Sequence, residues 1–157
     1  MTSQKHSYNP LLVLLAAFVA VYFVAVPVAL AQQQMIRGGF QPSFNAGLRA
    51  FSQGDNELAG KHFLRLAHDG RAQYYLAYLM DIGEGVGRDP YGAISWYRKS
   101  AEQDYLPAQS YLGYAYSAGK GVQKNDTEAF KWYTIAARRG DAIAQNNLAT
   151  MLRLGRG

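Results

Sequence analysis

A period of 36 residues constrains this chain more than any other feature. With residues 83–118 written over residues 119–154, ten of the 36 positions are identical, including Gly83/Gly119, Gly85/Gly121, Tyr97/Tyr133 and Leu112/Leu148. Trp96 and Trp132, the only tryptophans, fall in register. Further back, Ala72, Gln73 and Leu76 align with Ala108, Gln109 and Leu112. The offset then becomes 34, with Ala59, His62, Phe63 and Ala67 against Ala93, Trp96, Tyr97 and Ala101. The two missing residues fall around Gly70, in a turn, where a deletion costs least. Self-similarity on this scale marks a stacked array, in which one unit cannot bury its apolar face alone.

Each period reads as two helices, so the fold class is all-α. The first helix runs roughly from Pro107 to Ala118, with Ala108, Leu112, Ala115 and Tyr116 on one face. The second runs from Pro90 to Gln103, with Ala93, Trp96, Tyr97 and Ala101 at i, i+3, i+4 and i+8. Both spacings are those of an amphipathic helix. Asp89 suits a cap, and Pro90 suits a first turn, where its missing N–H costs nothing. Asn125 and Glu128 stand at capping-box spacing. Between the helices lie Gly83-Glu84-Gly85-Val86 and Gly119-Lys120-Gly121-Val122. A glycine there permits the left-handed turn that ends a helix, and the valine folds back on the core. The recurring alanines, such as Ala93, Ala129, Ala108 and Ala144, let helices approach closely.

The strings Ala-x-x-Trp-Tyr-x-x-x-Ala (93–101 and 129–137), Ala-Gln-x-x-Leu (108–112 and 144–148) and Gly-x-Gly-Val (83–86 and 119–122) together resemble the Sel1-like repeat. That repeat is a relative of the tetratricopeptide repeat. The resemblance covers about residues 57–157, and residues 44–54 resemble a looser tetratricopeptide-type first helix. It implies a right-handed α-solenoid over residues 44–157, of about three helix pairs plus an unpaired last helix. It also implies a protein-binding adaptor, since bacterial members serve signalling, envelope assembly and host interaction. The family has no common catalytic residue, so none is carried over. Two departures stand out. His62 replaces the repeat tryptophan, and Leu154-Gly155-Arg156-Gly157 comes where the glycine turn of a further repeat begins. The apolar face of residues 142–154, with Leu148, Met151 and Leu152, is expected to pack inward on residues 126–139. Its outer side is expected to be open, which suggests a truncated array or weak end-to-end self-association.

Residues 1–31 read as a secretory signal peptide. Lys5 precedes an uncharged apolar run from Leu11 to Val26, and Pro27 and Ala29-Leu30-Ala31 follow. Small residues at the −3 and −1 positions place cleavage after Ala31. The rival reading is an uncleaved anchor, since Leu11 to Ala31 is just long enough to span a bilayer. Either way the remainder is delivered outside the cytoplasm, to the periplasm or beyond. Residues 32–43, with four glutamines, Gly38-Gly39 and Pro42, read as a flexible linker.

Chemistry has little material. The chain has no cysteine, which removes disulfides, Cys-ligated zinc and thiol nucleophiles. His62 and His68 are six apart and do not share a helix face for a metal. His62 reads as a packed substitute for tryptophan, and His68 as solvated. Asp81 and Glu84 are not placed as a catalytic pair, and Gly83 to Gly87 lacks the lysine of a phosphate loop. No cofactor is called for. The net charge of +5 is too small a basic field for a nucleic-acid reading.

Tyrosine is the informative excess, at 12 residues. Tyr97, Tyr116 and Tyr133 occupy core positions. Tyr74, Tyr75, Tyr78, Tyr111 and Tyr114 do not, and lie on first helices away from the Ala72/Leu76 and Ala108/Leu112 face. They form two ladders, Tyr75–Tyr111–Asn147 and Tyr78–Tyr114–Thr150. In a solenoid of this kind first helices line the concave surface, and tyrosine is enriched at binding sites. Tyr74, Tyr75, Tyr78, Tyr111, Tyr114 and Asn147 are therefore the expected partner-binding residues. The bland alternative is that these rings pack between repeats. The expected function is an exported adaptor that binds a protein in its groove. The alternatives are an envelope-polymer hydrolase and a membrane-tethered assembly factor.

Overall fold

The structure is a computed structural model that describes residues 41–157; the expected signal peptide and most of the expected linker lie outside the described residues. Among the described residues it contains seven α-helices and no strand: α1 (Phe44–Ser52), α2 (Asn56–Arg65), α3 (Gly70–Ile82), α4 (Pro90–Glu102), α5 (Leu106–Ala118), α6 (Asp126–Arg138) and α7 (Ala142–Arg153). Helices pair in sequence order, and each packs on the next. This is a helical solenoid, and its boundaries fall within a residue or two of those the repeat predicts.

The punctuation works as the sequence dictates. The Asp89 carboxylate accepts from the Gly92 N–H at 2.9 Å, and Asn125 Oδ1 accepts from the Glu128 N–H at 3.1 Å. The reciprocal half of the capping box is absent, because the Asn125 N–H donates instead to the Tyr116 carbonyl at 2.9 Å. Its repeat equivalent, the Asp89 N–H, donates likewise to the Met80 carbonyl at 2.9 Å. Each second helix is thus tied at its start to the helix before it.

The glycine turns have two jobs. Gly83 and Gly119, at φ 78° and 75°, end α3 and α5 in the left-handed region. Gly85 and Gly121 also have positive φ, at 72° and 64°, and in addition touch backbone. A Cβ on Gly85 would lie 2.1 Å from the Asn56 carbonyl carbon, and one on Gly121 would lie 2.4 Å from the Pro90 oxygen. The second glycine therefore lets each turn sit directly on the first residue of the preceding repeat's second helix. The residue between the glycines reaches the same place. Asn56 Nδ2 donates to Glu84 Oε2 at 2.6 Å, and Arg156 pairs with Asp126 at 2.7 Å. In the middle copy that first residue is Pro90, which offers no side-chain partner. Lys120 turns instead to Asp81, at 2.5 Å.

The repeated Ala-Gln pair has a physical reason as well. Gln73, Gln109 and Gln145 donate from Nε2 to the carbonyls of Ala67, Ala101 and Ala137, at 2.7, 3.1 and 3.1 Å. Each glutamine fills an orphan acceptor at the end of the preceding second helix. The Gln73 and Gln109 oxygens then accept from Gln103 at 2.9 Å and Arg139 at 2.8 Å, so the amides link consecutive repeats.

Small residues set the spacing of the core. Ala59, Ala72, Ala77, Ala108, Ala115 and Ala129 are fully enclosed, and Phe63, Tyr97 and Tyr133 fill the space they leave. A Cβ on Gly47 would lie 2.6 Å from the Phe63 ring, and one on Gly113 would lie 2.4 Å from the Tyr133 ring. Gly47 and Gly113 are thus equivalent floors under Phe63 and Tyr133, and the buried Ala77 holds the same register position in the middle copy. His62 is buried, as a substitute for tryptophan should be, and its Nδ1 accepts from the Ser43 N–H at 3.1 Å.

Register does not make the two tryptophans alike, and one expectation about α7 needs correction. Trp132 is 7% exposed, but its mate Trp96 is only half-buried. Trp96 lies at the seam between the two core clusters, and its ring is covered by Lys99 Nζ, 4.2 Å from the centroid. At the place of Lys99 the next repeat has the apolar Ile135, which joins the core around Trp132. On α7, Met151 is buried and Leu148 packs on the core, but Leu152 is 62% exposed. One residue on from Met151 is a step of about 100°, enough to turn Leu152 off the packed face.

Candidate functional site

The tyrosines of the first helices join rings from α1, α2 and α4 in one continuous aromatic array. The Phe51 ring centroid lies 5.4 Å from Tyr75 and 5.7 Å from Tyr78. Tyr75 stacks on Phe63 at 5.3 Å and meets Tyr74 edge-on at 5.4 Å. Tyr74 contacts Tyr97 at 5.5 Å, Tyr97 stacks on Tyr111 at 3.9 Å, and Tyr111 reaches Tyr114 at 5.9 Å. Most of these are tilted or edge contacts that the ring quadrupole favours.

The array separates the six expected binding residues. Tyr74, Tyr75 and Tyr111 are half-buried and pack between repeats. Tyr78 and Tyr114 are 37% and 45% exposed and present their rings outward. Asn147 is drawn aside, donating from Nδ2 to the Tyr133 hydroxyl at 3.1 Å. Tyr74, Tyr111 and Tyr114 come together around a cleft of about 290 Å³, between α3, α5 and the start of α7. Tyr75, Tyr78 and Asn147 lie outside its lining. The remaining walls are Pro107, Ser110, Asp141 and Ile143, which sequence reasoning missed. A signal for them existed in the register. The position of Arg71 becomes Pro107 and then Ile143, an alternation that core packing does not require.

The cleft is apolar with polar groups fixed by hydrogen bonds. The Ser110 hydroxyl donates to Asp141 Oδ1 at 2.9 Å, and the same oxygen caps α7 by accepting from the Ala144 N–H at 2.7 Å. The Tyr111 hydroxyl donates to Asp81 Oδ2 at 2.7 Å, where Lys120 also arrives. Asp81 is buried but doubly partnered, which is what keeps a buried carboxylate tolerable. Burial pushes the Tyr74, Tyr97 and Tyr111 hydroxyls above their ordinary value, with the hydrogen bond to Asp81 adding to the rise at Tyr111. Burial likewise pushes Tyr133 up to about 12, against the opposing hydrogen bond from Asn147. At neutral pH these phenols stay protonated; Tyr111 donates to Asp81, Tyr133 accepts from Asn147, and all four offer apolar ring surface. Among the described residues, no three His, Asp or Glu side chains are grouped so as to hold a metal ion.

The Sel1 repeat model matches residues 70–105, 106–141 and 142–157, more than half of the chain. The chain belongs to the Sel1 repeat family. Its three matched segments begin at or next to the first residues of α3, α5 and α7, so the family's unit coincides with the structural one. Solved structures agree. A Sel1 repeat protein from Oxalobacter formigenes is 33% identical with a TM-score of 0.71, over 73% of this chain and 48% of that protein. A protective antigen present in uropathogenic Escherichia coli strains, displaying an SLR fold, is 29% identical with a TM-score of 0.69. The match covers 73% of this chain and 26% of that antigen. Helicobacter pylori cysteine rich protein B is 27% identical with a TM-score of 0.53, over 61% of this chain and 71% of its own. The chain therefore spans about half or less of the first two. Among curated proteins none matches significantly. Sel1 repeats are commonly scaffolds for protein–protein interaction and are generally non-catalytic. No helix among the described residues is long and apolar enough to cross a membrane.

Proposed function

We propose that this Sel1 repeat chain is an exported adaptor of the bacterial cell envelope that receives a segment of a partner protein along its first helices. The observation that carries the reading is the cleft between α3, α5 and α7, where three tyrosines from two repeats converge on one opening. Concave sites of this size, mostly apolar with a few fixed polar groups, are where ligand side chains are held. Tyr78 extends the same face toward α1, so an extended segment has a second anchoring point. The address rests on the apolar run and Ala29-Leu30-Ala31 of the N-terminal segment. The exposed Leu152 and Leu154 support weak self-association as a secondary property.

The test is site-specific photo-crosslinking in the source cells. A photoreactive phenylalanine at position 114 should give a discrete adduct with one envelope protein. The same group at position 91 is the control, since Tyr91 is 76% exposed but on the second helix α4. Adducts of equal yield at both positions, or none at 114, refute the groove. Recovery of Gln32 as the mature N-terminus supports export with cleavage, and a full-length chain in membranes overturns it in favour of the anchor.

A further inference from the structure

The repeat register shows what the cleft lacks. At the start of α3, Asp69 caps the helix and pairs with Arg71, with Nη2 to Oδ2 at 2.7 Å and Nε to Oδ1 at 3.1 Å. The Arg71 guanidinium also lies over the Phe44 ring, 4.3 Å from its centroid. A guanidinium between a carboxylate and an aromatic face is a favourable arrangement, because each side offers it negative potential. Two repeats later, 72 residues on, the cap is again an aspartate, Asp141, but the place of Arg71 is taken by Ile143. The equivalence of Gly47, Ala77 and Gly113 puts Ser110 in the place of Phe44. The ring and the guanidinium are both missing from this copy, and the cleft opens where they would stand.

We infer that the cleft takes the cationic side chain of an arginine in an extended partner segment, held between the Asp141 carboxylate and the tyrosine faces. This rests on the protein-binding reading above and names the chemistry of the partner. Asp141 Oδ1 is used by Ser110 and Ala144, and Oδ2 has no partner among the described residues. Two cations of the surrounding elements are already engaged. Lys120 pairs with Asp81, and Arg139 donates to Gln109 Oε1 at 2.8 Å and to the Asp104 carbonyl at 2.7 Å. Neither neutralises Asp141. The chain thus contains one filled and one unfilled copy of the same arginine seat.

The experiment is a titration of the purified chain, followed by amide NMR, with three capped tripeptides: Ala-Arg-Ala, its citrulline isostere and Ala-Phe-Ala. The arginine peptide should give saturable shifts at residues 107–114 and 141–144, and citrulline, which keeps the shape but is neutral and has a carbonyl oxygen in place of one amino group, should bind at least fivefold more weakly. Asp141→Asn retains a good cap and should lose arginine binding by a similar factor. Ile143→Arg should abolish it by supplying the guanidinium in cis, as Arg71 does. Equal binding of arginine and citrulline, preference for phenylalanine, or no shift at the cleft with the arginine peptide overturns the inference. An adduct at position 114 together with any of those results leaves the groove standing and removes only the arginine. Arginine-specific shifts without an adduct keep the cation site and remove the adaptor reading.

Discussion

Gly121→Ala tests whether the glycine turns lock one repeat to the next. Two costs add at this site. The residue has φ 64°, and an L-residue in the left-handed region costs about 1–2 kcal/mol. Part of that is offset, because alanine also restricts the unfolded chain by about 0.4–1 kcal/mol. The new Cβ would then lie 2.4 Å from the Pro90 oxygen, 3.0 Å from its carbonyl carbon and 3.2 Å from the Ile94 side chain. Backbone cannot rotate away as a side-chain tip can, so the turn must lift from α4, at about 1–3 kcal/mol by analogy with overpacked cores. The sum is about 1–5 kcal/mol. Two controls isolate the parts. Gly140, at φ 88°, has nothing within 4 Å of an added Cβ, so Gly140→Ala carries only the backbone cost. Gly119, at φ 75°, would meet Lys124 Cβ at 3.4 Å, an ordinary contact, and should behave the same way. Thermal unfolding followed by circular dichroism should show the Gly121 variant melting well below both controls. At about 4–8 °C per kcal/mol for a domain near this size, the gap is about 4–24 °C. A Gly121→Ala variant that melts with Gly140→Ala refutes the lock, and with it the reason given for the second glycine of each turn.

Two further measurements bear on the fold. Trp132→Ala should cost about 3–5 kcal/mol as a buried aromatic, and Trp96→Ala, half-buried under Lys99, should cost roughly half as much; equal losses in chemical denaturation would contradict the burial difference. Absorbance at 295 nm should show Tyr97, Tyr111 and Tyr133 failing to ionise near pH 10, the ordinary value. Because their folded values are raised, the stability they contribute is complete below that pH and is lost as the pH rises through the folded values. Unfolding should therefore accompany their ionisation, and reversible titration of all the folded chain's tyrosines near pH 10 would rule this out.

The architecture was legible because it is written twice. A 36-residue offset aligns Gly83 with Gly119 and Trp96 with Trp132, and the helices follow from spacing within that frame. The glycine turns were legible for their left-handed conformation, but not for their contact with Asn56 and Pro90, which lie 29 and 31 residues away from Gly85 and Gly121. The Ala-Gln pairs were visible as repeated letters, and their work on the carbonyls of Ala67, Ala101 and Ala137 required coordinates. Register also overreached. It made Trp96 and Trp132 equivalent, whereas burial depends on the neighbours, and Lys99 and Ile135 differ. The site was half legible for the same reason. The tyrosine ladders place Tyr75 with Tyr111 and Tyr78 with Tyr114, but only packing divides half-buried rings from exposed ones. Pro107, Ser110 and Ile143 break the register rather than keep it, so a search for sameness passed over them, and Asp141 repeats Asp69 only two periods away, with Tyr105 between.

That contrast explains how a stack built from near-identical units acquires one distinct place on its surface. Helix α5 packs on α4 and α6, so little of it is free, and what is free carries Tyr114. The ring beside it is fixed. Tyr111 is stacked on the fully buried Tyr97 and hydrogen-bonded to Asp81, which is itself held by Lys120. Asp141 is fixed too, by its own cap and by Ser110. A ligand entering the cleft therefore meets walls with few side-chain rotamers left to freeze, each of which would otherwise cost about 0.5–1.5 kcal/mol on binding. The repeats supply this rigidity at every level of the stack. The substitutions at positions 107, 110 and 143 open the structure at one level only, where a rigid frame and an unpaired carboxylate oxygen coincide.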